Sequence, residues 1–332
     1  MKKFMNRAER IVVESLEGFV RAHDDVLTFG NGSRNVRRRQ LKPGKVAVIS
    51  GGGAGHEPMH AGLVGHGMLD AACVGHVFTS PTPNQILDAI AECDTGAGVL
   101  LIVKNYDGDV MNFDMAAEMA IEAGHRIETV IVNDDIAAYD AARSSGRRGV
   151  AGTLIVEKTV GAAAEAGHSL EELKALGTRT VAATRSMGVA LRGATVPETA
   201  RQTFSLGPDE MELGVGIHGE PGRSRIAFRD ADAIAALVCE ELITELPSPR
   251  DGRILLFVNG FGGTPVSELY LMYGAVRRLV EARGLVVARS LVGAYVTSLD
   301  MAGLSVTLSA LDADRMNFWD APVAAPALRW GC

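Results

Sequence analysis

Apolar residues fall into short unbroken runs that alternate with longer stretches in which they recur every third or fourth position. The first pattern marks buried strands, and the second marks helices with one covered face. Phe4, Ile11, Val12, Leu16 and Phe19 share a face of a helix expected over residues 4–22. Val46–Ser50 reads as a strand, with a helix after it to about Val64, and residues 71–78 read as a second strand. Thr82-Pro83-Asn84-Gln85 opens a helix: Thr82 caps it, Pro83 takes its first position and Gln85 closes a capping box. Val99–Val103 and Thr129–Val132 are further strands, separated by a helix from about Val110 to Ala123. Thr153–Gly167 and Ser169–Thr184 read as helices. This β-α alternation implies a mostly parallel sheet covered by helices.

The pattern changes near Ser186. Met187–Leu191, Leu213–Ile217, Ile254–Val258, Leu285–Ala288 and Ser305–Leu308 are strand candidates, with helices over 230–245 and 265–283. The expected architecture is α/β throughout: two α/β domains, 1–185 and 186–332, with mostly parallel or mixed sheets covered by helices.

Composition narrows the class. The chain has 332 residues, 47% hydrophobic and 22% charged, which is ordinary for a globular protein. A net charge of −7 argues against nucleic acid as the partner. No run of about twenty apolar residues is present, so no membrane span is expected. The charged N-terminus lacks the apolar core of a signal peptide, and the four cysteines form no C-x-x-C pair. Both features suit a cytoplasmic protein with reduced thiols.

The candidate chemistry centres on histidines framed by glycine. Residues 214–222 read GVGIHGEPG, and His218 stands where an apolar strand runs into a turn. Glycines at 214, 216 and 219 leave room for another molecule to approach the ring, as a nucleophile or proton carrier needs. One such histidine is more often a plain turn residue, but a second follows the strand at Val46–Ser50, in GGGAGHEP (51–58). A glycine run after a strand is where open α/β sheets place ligands, with backbone N–H groups free to meet oxygen atoms. It matches neither a Walker A loop nor a full G-x-G-x-x-G. His56-Glu57-Pro58-Met59-His60 matches the zinc motif H-E-x-x-H, and His66 has the spacing of a third ligand. That motif needs a helix through both histidines, which four preceding glycines and Pro58 oppose, so no metal site is assigned.

Parallel sheets gather strand C-termini at one edge, so three loops should meet there: 51–56, 79–80 and 104–109. They bring His56, the hydroxyls of Thr79 and Ser80, Lys104 and Asp109. Asp109 also reads as the N-cap of the helix from Val110. Asp134 and Asp135 read as loop and cap residues. His23, His60, His66, His76, His125 and His168 lack such framing and read as structural or surface residues.

Nine stretches together carry a resemblance: GGGAGHEPMHAG (51–62), GMLDAACVG (67–75), FTSPTP (78–83), GVLLIVKNYDGDVMNF (98–113), GRRGVAGTLIVEKTVGAAAE (146–165), GVGIHGEPG (214–222), VNGFGGTPVSELY (258–270), GAYVTSLDMAGLSVTL (293–308) and DAPVAAPALRWG (320–331). They cover nearly the whole chain and resemble the substrate-binding (dihydroxyacetone-binding) subunits of dihydroxyacetone kinases. The resemblance implies a homodimer that phosphorylates a small ketose. It implies that His218 adds to the C2 carbonyl of dihydroxyacetone as a covalent hemiaminal, and that His56 and Asp109 handle the proton of the phosphorylated hydroxyl. Gly53 and Lys104 match substrate contacts, and Ala54, Gly55 and Ser80 complete the expected binding residues.

The chain carries no P-loop, so Mg-ATP or ADP is expected on a separate nucleotide-binding kinase subunit, fed by ATP directly or by a phosphoenolpyruvate-dependent relay. Ala54 stands where serine is usual, Asp107 where threonine is common, and 222–252 is short. A four-carbon ketose such as erythrulose is therefore an alternative substrate. A binding-only regulatory paralogue is the other alternative, and the retained His56 and Asp109 argue against it.

Overall fold

Eight helices and fourteen strands are built from these segments in a computed structural model that describes residues 2–30, 34–138, 146–249 and 251–332. The first half contributes β1 (Leu27–Phe29), β2 (Asn35–Arg38), β3 (Ala47–Ala54), β4 (Ala71–Val77), β5 (Val99–Lys104) and β6 (Ile127–Val132). They form one sheet in the order β1-β2-β4-β3-β5-β6. The four strands β4, β3, β5 and β6 run parallel, and β1 and β2 add antiparallel strands at one edge.

Alternate residues of this sheet serve two cores, as the two-residue period of a strand requires. Ala47, Ile49, Cys73, Leu101 and Val103 pack under α2 (Pro83–Cys93) and α3 (Asp107–Glu122). Val48, Leu100, Ile102, Val130 and Val132 face the other way, toward α1 (Ile11–Ala22), α4 (Gly152–Glu165) and α5 (Leu170–Ala182). The start of α2 is as expected: Thr82 and Gln85 form a capping box with Pro83 in the first turn, an arrangement that contributes about 1 kcal/mol. α4 is buried from Gly152 to Ala164, so it is enclosed on all sides.

The second half builds a mixed sheet from β7 (Thr184–Arg192), β8 (Glu210–Leu213), β9 (Ser224–Ala227), β10 (Arg253–Gly260), β11 (Val286–Gly293) and β12 (Ala302–Ala310), in the order β11-β10-β12-β7-β8-β9. Only β10 and β11 are parallel. α6 (Ala231–Glu245) and α7 (Val266–Ala282) cover one face over Met187, Val189, Leu256, Val258 and Val306. The other face sends Ala190, Leu255 and Phe257 into the core of the first half. The last residues return to the first half: α8 (Ala313–Asp320) packs on α4, and the hairpin β13 (Val323–Ala324) and β14 (Arg329–Trp330) bridges to His66.

Three expectations are corrected. The helix over 4–22 begins only at Ile11 after a short 3-10 turn, and Phe4 is fully exposed, because the charged Lys2–Arg10 stretch supplies no second apolar turn to dock it. No helix follows Ser50; β3 itself continues to Ala54, and residues 56–60 are turns before a 3-10 turn at Ala61–Leu63. Glycines and Pro58 leave that segment without helical propensity, and burial holds it in place. β8 stops at Leu213 instead of running to Ile217, because Gly214 turns the chain at φ +83. Among the described residues no helix is long and apolar enough to cross a membrane.

Candidate active site

The glycine run is the end of a strand packed on every side. A Cβ on Gly51 would stand 2.5 Å from the Cys73 carbonyl oxygen, one on Gly53 would stand 2.5 Å from the Thr79 nitrogen, and one on Gly52 would collide with the Lys104 ammonium. Glycine is needed here so that neighbours can close in. The expected row of free amides is corrected in part: the Gly55 N–H already donates to both Glu57 carboxylate oxygens, at 3.0 and 3.1 Å. The Ala54 carbonyl accepts the Phe78 N–H at 2.9 Å.

Lys104 ends β5 and is fully buried. Its Nζ donates to the Gly51 carbonyl at 3.1 Å and to His60 Nε2 at 3.1 Å, and it forms an ion pair with Asp109 Oδ2 at 3.2 Å. Two of its N–H groups thus have acceptors, and its charge is matched by the Asp109 carboxylate. Asp109 is not the N-cap expected of it: α3 starts at Asp107, Tyr106 holds the cap position, and Asp109 sits in the first turn with its carboxylate on Lys104. The positive end of the helix favours a carboxylate there. Ser80 lies against the same turn, 3.7 Å from where a Cβ on Gly108 would be, and its hydroxyl donates to the Pro81 carbonyl at 3.3 Å.

His56 is wholly buried. Its Nδ1 lies 2.8 Å from the Thr297 carbonyl, which can only accept, so the ring proton is on Nδ1. Nε2 is buried without a hydrogen-bond partner among the described residues, leaving an available lone pair. Burial, then the charges of His218 and Lys104, push the imidazole well below the usual 6.5. His56 is thus expected to show no titration step at 6.5 and to stay neutral into acid. Below that pH the unfolded chain binds a proton that folded His56 resists, so its contribution to stability declines as pH falls. Histidine-selective NMR against pH checks this; a midpoint at 6.5 would mean a solvated ring.

His218 comes from the second half, on the turn between Gly214 (φ +83) and Gly219 (φ +76). Its ring lies 4.8 Å from that of His56, 4.5 Å from Tyr106 and 5.3 Å from Phe78. The side chain keeps 19% exposure, so the ring is held but reachable. Nδ1 lies 2.9 Å from Glu220 Oε1, and the His218 backbone N–H donates to Glu220 Oε2 at 3.0 Å. Burial opposes ionisation of Glu220, but the hydrogen bond from His218 and the charges of His218 and Arg148 outweigh it and hold the carboxyl down at about 2. Glu220 therefore accepts and Nδ1 carries a proton, so that whenever the ring is neutral the lone pair is the one on Nε2. Arg148 is anchored by Asp135 (Nε to Oδ2 2.8 Å) and donates to the Gly214 carbonyl at 2.9 Å. A Cβ on Gly216 would strike both Glu220 and Arg148.

The three loops thus converge as strand order implies, and His218 meets them from the other sheet. The zinc motif is not used as one: His56 and His60 are not on a helix, and both ring nitrogens of His60 are engaged, Nδ1 by Glu157 and Nε2 by Lys104. His60, expected to be a structural or surface residue, is buried beside Lys104. Asp134, expected in a loop or cap role, is buried and ties its loop to the start of α4 by accepting from the backbone N–H groups of Val150 (2.8 Å) and Gly152 (2.7 Å). Sequence reasoning missed Phe78, Tyr106, Arg148, Glu157 and Glu220. Only Glu220 left a local signal, two residues after His218. Phe78 holds φ +53, a strained conformation for a bulky residue, and stacks on His56 at 5.2 Å. Beside the glycine strand lies a cavity of about 450 Å³, lined by Gly52, Gly53, Ala54 and His60 and by Ser15, Leu16 and Phe19 of α1.

Comparison with known proteins shows the family of the chain. The Dak1 domain matches residues 17–327. The chain is 50% identical over 315 residues to the dihydroxyacetone-binding subunit DhaK of PTS-dependent dihydroxyacetone kinase 1 from Listeria innocua, covering 95% of this chain and 96% of that one. Its structure is similar to the dihydroxyacetone kinase of C. freundii (TM-score 0.88, 35% identity), covering 99% of this chain and 60% of that longer one. It is also similar to the dihydroxyacetone kinase operon co-activator Dha-DhaQ (TM-score 0.90, 35% identity), covering 95% and 97% of the two chains. A match of this extent and identity means that the chain belongs to the Dak1 domain family.

Proposed function

We propose that this chain is the dihydroxyacetone-binding subunit of a kinase for short ketoses, and that His218 carries the sugar as a covalent hemiaminal. The observation that supports this most is the pairing of His218 Nδ1 with an ionised Glu220, which leaves Nε2 as a nucleophile at an accessible turn. In the step, Nε2 forms a bond to C2 and the carbonyl π bond breaks. The carbonyl oxygen takes one proton from water to become a hydroxyl, and the ring gives one up from Nδ1 through Glu220 to water, so no net proton is gained or lost. Only a carbonyl compound can react this way, so glycerol is refused despite its similar size.

With C2 fixed, a terminal hydroxyl lies among the first-half groups. Asp109, held by Lys104, and His56, with its unshared Nε2, are the acceptors for its proton during phosphoryl transfer. Gly53, Ala54, Gly55, Ser80 and Lys104 form the wall against which the sugar rests. Residues 1–185 thus supply the proton-transfer side and 186–332 the covalent histidine, in a cytoplasmic homodimer. A partner kinase subunit brings Mg-ATP or ADP and the phosphoryl group, and the PTS-dependent Listeria relative favours a relay as its source.

The co-activator likeness favours one rival, a ketose sensor without turnover. Against it stand the buried Lys104–Asp109 pair and the unpartnered His56 nitrogen, which capture alone does not require. The test is to mix the chain with its nucleotide-bearing partner, Mg-ATP and a panel of three- and four-carbon ketoses, with glycerol as control. Sugar phosphate from a ketose and none from glycerol is expected. Ketose capture without any phosphate formation would favour the sensor.

A further inference from the structure

Behind Asp109 a line of buried polar side chains runs through the first half. Asp109 Oδ2 lies 3.2 Å from Lys104 Nζ, which lies 3.1 Å from His60 Nε2, and His60 Nδ1 lies 2.6 Å from Glu157 Oε1. Lys104 and Glu157 are fully buried, and His60 nearly so. Glu157 comes from the enclosed helix α4. Polar groups so deep cost folding free energy unless they are paired.

The protons give this line a direction. An ammonium can only donate, so the His60 nitrogen facing Lys104 must accept. The ring proton then lies on Nδ1 and is donated to Glu157 Oε1. Burial pushes the Glu157 carboxyl up to about 8, against the opposing pull of the Ser50 hydroxyl and the Lys104 charge. Burial and then the Lys104 charge push His60 well below 6.5, which keeps the ring neutral. What Glu157 must offer is therefore an accepting oxygen, which an un-ionised carboxyl also has. With His60 fixed, one Lys104 N–H is held by the ring and a second by the Gly51 carbonyl, which keeps the ammonium in its ion pair with Asp109.

We propose that His60 and Glu157 are positioning residues for the proton-transfer side of the site: Glu157 accepts from His60 Nδ1 and fixes the ring, and His60 holds the Lys104 ammonium against the Asp109 carboxylate. This rests on the reading of Asp109 as a proton acceptor in a ketose kinase.

The test uses the full chain with its partner subunit and four variants: His60→Leu, His60→Gln, Glu157→Leu and Glu157→Gln. Each leucine removes the acceptor, and each glutamine restores a carbonyl oxygen without a charge. A hydrogen bond to a charged group corresponds to roughly a 10–100-fold effect. Both leucine variants are expected to lose about that much in kcat, with KM changed much less and ketose capture on His218 intact by mass spectrometry. The glutamine variants are expected to recover most of the loss. Leucine variants with wild-type kcat, or glutamine variants as impaired as the leucine ones, would overturn the proposal. Nitrogen-15 NMR of the His60 ring needs no variant: Nδ1–H is expected, and an Nε2–H tautomer overturns the idea even if a leucine variant fails to fold. Wild-type protein that neither captures nor phosphorylates a ketose would instead refute the reading on which this one stands.

Discussion

His218→Ala is expected to abolish ketose capture and to lower turnover by ~10³-fold or more. The sugar is small and flexible, so weak hydrogen bonds alone would leave its hydroxyls poorly aimed. A covalent bond at C2 removes most of that freedom, and positioning of this kind is worth up to roughly 7–11 kcal/mol. The substitution should leave the fold standing. His218 sits on a turn, keeps 19% side-chain exposure, and makes its polar contacts with Glu220 two residues away. Intact-mass analysis with and without ketose reads capture, and the coupled assay with the partner subunit reads turnover. A His218→Ala chain that still turns over at the wild-type rate would take the adduct off the reaction path.

Asp109→Asn is expected to do the opposite to the first step and as much damage to the second. Capture should persist, because Asp109 lies on α3 and the nucleophile is set by Glu220 and Arg148 from other elements. Asparagine keeps an oxygen that can accept from Lys104, so the buried pair is not left unmatched. It cannot take up the hydroxyl proton, and loss of a general base costs about 10²–10⁴ in rate. Full capture with turnover reduced by that range separates the two roles cleanly. An unchanged rate would leave His56 as the base and remove Asp109 from the mechanism.

The features that were legible in the sequence are those that local chemistry determines. The four parallel strands of the first sheet come from apolar runs, and Thr82, Pro83 and Gln85 specify a helix start within four residues. The convergence of 51–56, 79–80 and 104–109 follows from parallel order alone, and the glycines around His218 mark a ring that needs space. What escaped was set by contacts distant in sequence. His60 owes its role to Lys104 and Glu157, 44 and 97 residues away, and an isolated histidine gives no sign of them. The segment after Ser50 matched helix and zinc spacings, yet tertiary packing against Phe78, Lys104 and Cys73 made it strand and turn. Asp109 looked like a cap because its position allowed one, and the buried ammonium beside it claimed the carboxylate instead.

The central claim is that His218 Nε2 bonds to the keto carbon of a short sugar. Dihydroxyacetone labelled with carbon-13 at C2, added in slight excess to this chain, reads that bond directly. The expected result is a bound signal in the range of a carbon carrying one nitrogen and one oxygen, absent with His218→Ala. A bound signal that remains that of a ketone carbonyl would contradict it.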